Sequence, residues 1–411
     1  MTRVVITGTG VVSSLGNDTK TFWTNVSAGK NGIKPITSFD ASETGITVAS
    51  EASDFDPTLT MSRKEYQRMD RFSQFAIAAS DEALKNSGLV VVEETTDDIG
   101  VLVSSGIGGL HAIQTGILKM AKKGPKRVPP LFVPLTIGNM AAGNIAQKFG
   151  IRGISLDIVS ACASATNAIG EAYLKIKHGD LTACLAGGCE ATINEIGIAG
   201  FAALTALSTQ TDPERASIPF DARRDGFVMG EGAGVIVLES LENAQKRGAT
   251  VLAEVVGYGS TADAYHMTAP RPDGSGAGKA FLKTLEDAGI KPEEVDYINA
   301  HGTSTPTNDS GETTAIKYAF GEHAKHIPIS STKSMIGHLL GAAGGVEAIT
   351  CIEALRHQFV PPTRGLKEAD PQCDLDYVPN VGRAADLTYV LSDSLGFGGH
   401  NAVLCFKRWE E

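Results

Sequence analysis

Two stretches of this chain follow the same order of residue types. Ala83 to Gly106 runs from a helix end through a glycine and an acidic linker into the apolar strand Ile99–Val103 and a glycine bend. Leu285 to Gly302 repeats that order, with Ala288-Gly289-Ile290, acidic Glu293-Glu294, a strand from Val295 to Ile298, then His301-Gly302. Ser160 to Ile176, small residues at a bend and then a helix, is echoed by His338 to Leu355. A repeat on this scale restricts the chain to an architecture of two like halves. The division falls near residue 250, giving halves 1–250 and 251–411. Buried-type strands such as Leu181–Gly188 and Val235–Leu238 alternate with helical patterns, one of them closing at Gly88. That alternation predicts an α/β fold with mostly covered sheets.

The bend in the first half carries a cysteine. Ile154, Leu156 and Ile158 alternate with polar residues as a strand would, and Ala168, Ile169, Ala172, Tyr173 and Ile176 recur at helical spacing. Cys162 therefore sits where a strand turns into a helix. Unpaired N–H groups of a helix's first turn favour a thiolate, the nucleophilic form of the side chain. Small neighbours leave the sulfur approachable. The plainer alternative is a buried small hydrophobe, as most cysteines are.

Composition narrows the function classes. With 411 residues and 42% hydrophobic content, the chain can bury a substantial core. A net charge of −11 argues against a nucleic-acid binder, although a local basic patch can still receive an acidic partner. Six cysteines without a CxxC pair suit free thiols in a reducing cytoplasm. No signal pattern and no membrane-length apolar run are visible, so a cytoplasmic protein with no membrane association is expected. Gly8 and Gly10 read as a glycine turn closing the first strand. They suggest a dinucleotide fingerprint, but Ser13 stands where its third glycine belongs.

Two histidines stand in glycine-rich strand-end contexts. His301 lies in Asn299-Ala300-His301-Gly302-Thr303-Ser304-Thr305, and His338 lies in Gly337-His338-Leu339-Leu340-Gly341, with Lys333 upstream. Ligand crevices in α/β sheets form at strand ends, so Cys162, His301 and His338 are candidates for one site. His323 and His326 form a lone pair without further metal ligands.

These motifs, with Leu395-Gly396-Phe397-Gly398-Gly399-His400-Asn401, resemble the β-ketoacyl-[acyl-carrier-protein] synthases, and within them the elongating type. The likeness spans essentially the whole chain. It implies a thiolase-like five-layered αβαβα fold of two pseudo-symmetric halves, the first carrying the nucleophile and the second both histidines. It implies a homodimer and decarboxylative condensation of malonyl-carrier with an acyl group held on Cys162. In this scheme His301 and His338 stabilise the enolate, which fits the need for donors aimed at developing oxygen charge. Lys333 supports the histidines. The N–H groups of Cys162 and Phe397 form an oxyanion hole, and Phe397 swings as a gate among Gly396, Gly398 and Gly399.

Further roles follow from the resemblance or beside it. Thr303 and Thr305 could bond the pantetheine amides, and Ile107, Phe132 and Phe201 are candidate walls of an acyl tunnel. No cofactor is required for catalysis, since phosphopantetheine arrives on the acyl carrier protein, in its acyl or malonyl form. Asn299, Glu347, Ser392 and Asp393 are candidate ligands of a structural monovalent cation. Lys64, Arg68, Lys126 and Arg127 could steer the acidic carrier. The family often has an arginine before Ala-Leu-Ser-Thr, where this chain has Thr205. Three alternatives stand beside this reading: a polyketide-type ketosynthase, a cysteine acyl hydrolase, and a non-catalytic chain-length partner, which would lack the cysteine.

Overall fold

The computed structural model describes residues 2–410. Ten strands join in one mixed sheet. The first half supplies β1 (Val4–Val12), β2 (Ile99–Ser104), β3 (Ser155–Leu156), β4 (Ala183–Glu190) and β5 (Gly232–Ser240). The second supplies β6 (Ala253–Ala262), β7 (Tyr297–Asn299), β8 (Ile329–Ser330), β9 (Tyr389–Gly396) and β10 (His400–Arg408). Their spatial order is β8-β7-β9-β10-β6-β1-β5-β4-β2-β3. From the middle outward, each half therefore places its strands first, fifth, fourth, second, third. In both halves the fifth strand is antiparallel to its neighbours, and the second pairs in parallel with the third and fourth. The halves join where β1 pairs antiparallel with β6, Val4 facing Val255. The repeat in the sequence is thus a repeat of topology.

Helices complete the layers: α1 (Arg71–Ser87), α2 (Leu110–Lys123), α3 (Phe132–Thr136), α4 (Met140–Phe149), α5 (Ser164–Lys177), α6 (Glu195–Ala203), α7 (Ser275–Ala288), α8 (Pro306–Phe320), α9 (Lys333–Ile336) and α10 (Ala343–His357). α1 and α4 cover the outer face of the first half-sheet, α7 and α8 that of the second, and α5 and α10 lie between the two. The fold is a five-layered αβαβα sandwich. Strand periodicity explains the layering. Val101, Val103, Val235 and Val237 point to the outer core under α1, while Leu102, Ile236 and Leu238 point to the central one. Each such side chain contributes roughly 1.5–3 kcal/mol when fully buried.

α10 is buried from Ala343 to Leu355, including Glu347, which is ion-paired with Lys333. It crosses α5 closely: a Cβ on Gly344 would come within 2.0 Å of Thr166 Oγ1. The glycines of the first strand have the same purpose. β1 runs unbroken through Gly8 and Gly10 to Val12 rather than ending in a glycine turn. A Cβ on Gly8 would lie 2.2 Å from Ala83 O, and one on Gly10 1.9 Å from Ala79 O. They let α1 press onto the strand, which removes the dinucleotide reading. The lead-in to Cys162 is shorter than its alternation suggests, since β3 spans two residues at the sheet edge with both side chains exposed.

Candidate active site

Cys162 lies in a tight turn, Ala161–Ala163, leading directly into α5. Ala161 holds φ +53°, a left-handed conformation that costs a non-glycine residue energy and concentrates at functional sites. The residue is 8% exposed. Burial pushes its thiol up to about 12, against the pull of Lys333 and a hydrogen bond from the Phe397 N–H. Loss of water thus opposes the thiolate that a helix N-terminus favours, and Glu190 and Glu347 add repulsion. Gly396 presses on the same turn, where a Cβ would lie 2.6 Å from Ser160 O and 3.4 Å from Cys162 N. The backbone at Phe397 and that at Cys162 are thereby held side by side.

The second half brings two imidazoles to that sulfur. Cys162 Sγ and one ring nitrogen each of His301 and His338 all lie within 4.8 Å of one another. The rings cross at 86° with centroids 5.2 Å apart. Each is fixed through Nδ1. Lys333 Nζ stands 3.4 Å from Nδ1 of His301, and Leu340 N donates to Nδ1 of His338 at 3.2 Å. An imidazole whose Nδ1 accepts carries its proton on Nε2, so both neutral rings have a donor left for the cavity. Burial, then the charge on Lys333, holds both rings well below the ordinary histidine range and so keeps them neutral. Lys333 is itself buried and ion-paired with Glu347. The backbone of His338 is clamped on both sides, its N–H donating to Val228 O and its carbonyl accepting from Gly230 N.

A cavity of about 310 Å³ opens onto these groups. It is lined by Cys162, Phe201, His301, Thr303, Thr305, His338, Phe397 and Gly399, with Thr205 among its further lining residues. Thr303 and Thr305 bond each other at 2.9 Å through their hydroxyls. Ile107 and Phe132 do not line this cavity. Ile107 is 39% exposed, and Phe132 packs on Gly116 beside a separate hollow with Asp70 and His111. Gly398 lies just behind the lining, its N–H bonded to Met267 O.

The β-ketoacyl synthase N-terminal domain model matches residues 1–244, and the C-terminal domain model matches 252–367. The chain belongs to the β-ketoacyl synthase family. It is 52% identical to a 3-oxoacyl-[acyl-carrier-protein] synthase 2 of Staphylococcus aureus (strain COL), over 99% of each chain. A β-ketoacyl synthase from Burkholderia phymatum has the same fold at TM-score 0.92 and 38% identity, covering 100% of both chains. So has a type II polyketide ketosynthase solved in complex with its acyl-carrier protein and bound to a hexaketide, at TM-score 0.92 and 33% identity, covering 99% of this chain and 100% of that one.

Two carboxylates of this β-ketoacyl synthase escaped the sequence reading. Glu312, on α8, accepts from His301 N at 2.7 Å and Gly302 N at 2.8 Å, fixing the backbone that presents His301. Glu190, at the end of β4, binds the turn after β2. The available signal was an acidic residue closing an otherwise apolar strand, and Asp309 with Glu312 on one face of a helix that buries both.

Of the candidate cation ligands, Ser392 on β9 faces Asn299 on β7. Asn299 Oδ1 and Nδ2, Glu347 Oε2, Ser392 Oγ and both Asp393 carboxylate oxygens are buried without a hydrogen-bond partner among the described residues. Burial pushes Asp393 up to about 7 and raises Glu312, which Asp393 also repels. Orphaned oxygens beside several carboxylates and one lysine fit a hard cation. Of the basic candidates, Lys64, Arg68, Lys126 and Arg127 are all exposed. No helix among the described residues is long and apolar enough to cross a membrane.

Proposed function

We propose that this chain extends fatty acyl groups on acyl carrier protein by decarboxylative condensation. The observation that carries the reading is the meeting of one thiol and two neutral imidazole N–H donors in one cavity. Cys162 attacks the acyl thioester, giving acyl-Cys162 and releasing the pantetheine thiol with the proton that the cysteine gives up. The N–H groups of Cys162 and Phe397 receive the oxyanion of that step. Malonyl-carrier then binds with its thioester carbonyl against His301 and His338. Breaking the bond to the carboxylate releases CO2 and leaves an enolate, whose oxygen the two imidazoles stabilise. The enolate carbon attacks acyl-Cys162, the carbon–sulfur bond breaks, 3-oxoacyl-carrier forms, and the departing cysteine sulfur takes a proton from solvent in place of the one carried off by the pantetheine thiol.

Lys333 supports this by holding Nδ1 of His301 as an acceptor, and the Thr303 and Thr305 hydroxyls receive the pantetheine amides. Phe201 and the apolar residues behind Cys162, Ile193 and Ile198, receive the acyl chain. Phe397 gates entry, followed by Gly398 and Gly399, both at positive φ. Ile107 and Phe132 enter the acyl site through a homodimer. Its support is the run of exposed apolar side chains Ile117, Leu118, Leu131, Val133, Ile137, Leu156 and Val159, and the open edge at β3. Lys64, Arg68, Lys126 and Arg127 dock the acidic carrier. Asn299, Glu347, Ser392 and Asp393 would hold a monovalent cation, which would neutralise the charge behind His301. The halves divide as 1–250 and 251–411, and the protein works in the cytoplasm.

Mass spectrometry after mixing with acyl-carriers of graded length and malonyl-carrier tests the reading. Acylation at Cys162 followed by 3-oxoacyl product is expected. Free acid without ketoacyl product would instead establish a hydrolase. Repeated condensation without further enzymes would establish the polyketide type.

A further inference from the structure

Glu190 is fully buried, and no cation pairs with it among the described residues. Its Oε1 accepts from Ser105 Oγ at 2.7 Å and Ile107 N at 3.3 Å. Its Oε2 accepts from Gly106 N at 2.8 Å and from Gly341 N at 3.0 Å. One carboxyl group therefore gathers donors from both halves of the molecule. Ser105–Ile107 follows β2 in the first half and lies against the cysteine turn, since a Cβ on Gly106 would come 3.4 Å from Ala161 O. Gly341 follows Leu340, whose N–H holds Nδ1 of His338. A buried carboxylate costs more than a neutral side chain at such a point unless its bonds accomplish something a neutral group does not.

We propose that Glu190 is a positioning residue: it clamps the Ser105–Ile107 turn to the Gly341 turn and so fixes where Cys162 and His338 stand relative to each other. The inference rests on the condensing role proposed for those two residues. Glu190 does not activate the thiol, because its charge opposes the thiolate at Cys162. Positioning and charge thus pull in opposite directions, which separates this role from a purely structural one. Lys333 and Glu347 also act on the thiol, with opposite signs. Asp157, which accepts from Ser105 N, and Cys189 are the other titratable groups beside Glu190. Burial places the Glu190 carboxyl at about 7.

The test is Glu190→Gln in the full chain, with two rates measured. Alkylation of Cys162 by iodoacetamide at pH 8, followed by mass spectrometry, becomes about three- to tenfold faster as the opposing charge is removed. The kcat for condensation falls about tenfold, with KM for malonyl-carrier within about twofold of the parent. Both rates falling together, or neither changing, overturns the proposal. If Glu190→Gln does not fold, Ser105→Ala takes its place, removing one donor from the carboxylate. Because the charge remains, kcat is expected to fall about two- to threefold with KM for malonyl-carrier and the alkylation rate unchanged, and an unchanged kcat overturns the proposal. A parent protein that forms no ketoacyl product defeats the condensing role itself, whereas a condensing parent whose Glu190→Gln variant keeps its kcat defeats the clamp alone.

Discussion

The two turns that enter the central helices are built alike and equipped differently. In the first half Ala161 takes φ +53° and Cys162 follows it; in the second Leu340 takes φ +49° and Gly341 follows it. Each turn starts a buried helix, α5 or α10. Ser105 follows β2 at the place where His301 follows β7. The path from β3 to its turn is direct, whereas the path from β8 detours through α9 and so delivers Lys333 and His338. On the neighbouring strands, Gly187 faces Val103 in the first half, where Ser392 faces Asn299 in the second. The duplicated frame supplies rigid placement, and the halves differ in what they carry: a thiol and the Glu190 carboxyl on one side, two imidazoles and the Lys333–Glu347 ion pair on the other.

That contrast can be broken most sharply at the nucleophile. Cys162→Ala should abolish 3-oxoacyl formation while malonyl-carrier still releases CO2, measured by product mass spectrometry and CO2 release in parallel. Loss of both would tie the thiol to the decarboxylating side as well. His301→Ala or His338→Ala should slow CO2 release by about 10²–10³-fold, as removal of one oxyanion donor does elsewhere, and slow acylation of Cys162 much less. Equal effects on both steps would dissolve the division of labour.

The thiol itself offers a pH test. Because burial raises it to about 12 from an ordinary 9.0, the neutral form dominates throughout the physiological range. Its alkylation at pH 8 should then be roughly a thousandfold slower than that of an exposed cysteine, and should rise about tenfold per pH unit up to pH 9. A plateau near pH 7 would mean that the free enzyme already holds a thiolate. Gly341→Ala asks whether the silent turn is as tightly built as the reactive one. A Cβ there would lie 2.3 Å from Gly106 N, so stability in urea should fall by about 3 kcal/mol. The mildest expected effect is at the surface. Lys64→Glu with Arg68→Glu should raise KM for carrier-linked substrate a few-fold at low salt, with the difference shrinking as salt is added.

Much of this was legible in the residues. The strand–glycine–helix repeat announced two like halves, and α5 and α10 lie where their small-residue patterns indicated. Cys162, His301 and His338 could be grouped from glycine-rich strand ends, which mark where backbone opens to a ligand, and the structure brings them within 4.8 Å of one another. Periodicity could not reveal Glu190 and Glu312, since their partners come from distant segments and follow only from the packing of strands and helices. Nor could it weigh the helix N-terminus against burial at Cys162, because the second term depends on how thoroughly the other half covers the sulfur. Gly8 and Gly10 misled for a related reason: a glycine pressed by a helix looks, in sequence, like one that turns a chain.

The all-round burial of α10 bears on how the protein is made. One face of the first half-sheet, with the underside of α5, stays uncovered until the chain has been synthesised past Leu355. A nascent chain leaving the ribosome therefore carries an exposed greasy surface for most of its translation. Stalled or truncated products should be preferred clients of chaperones and proteases rather than folded fragments.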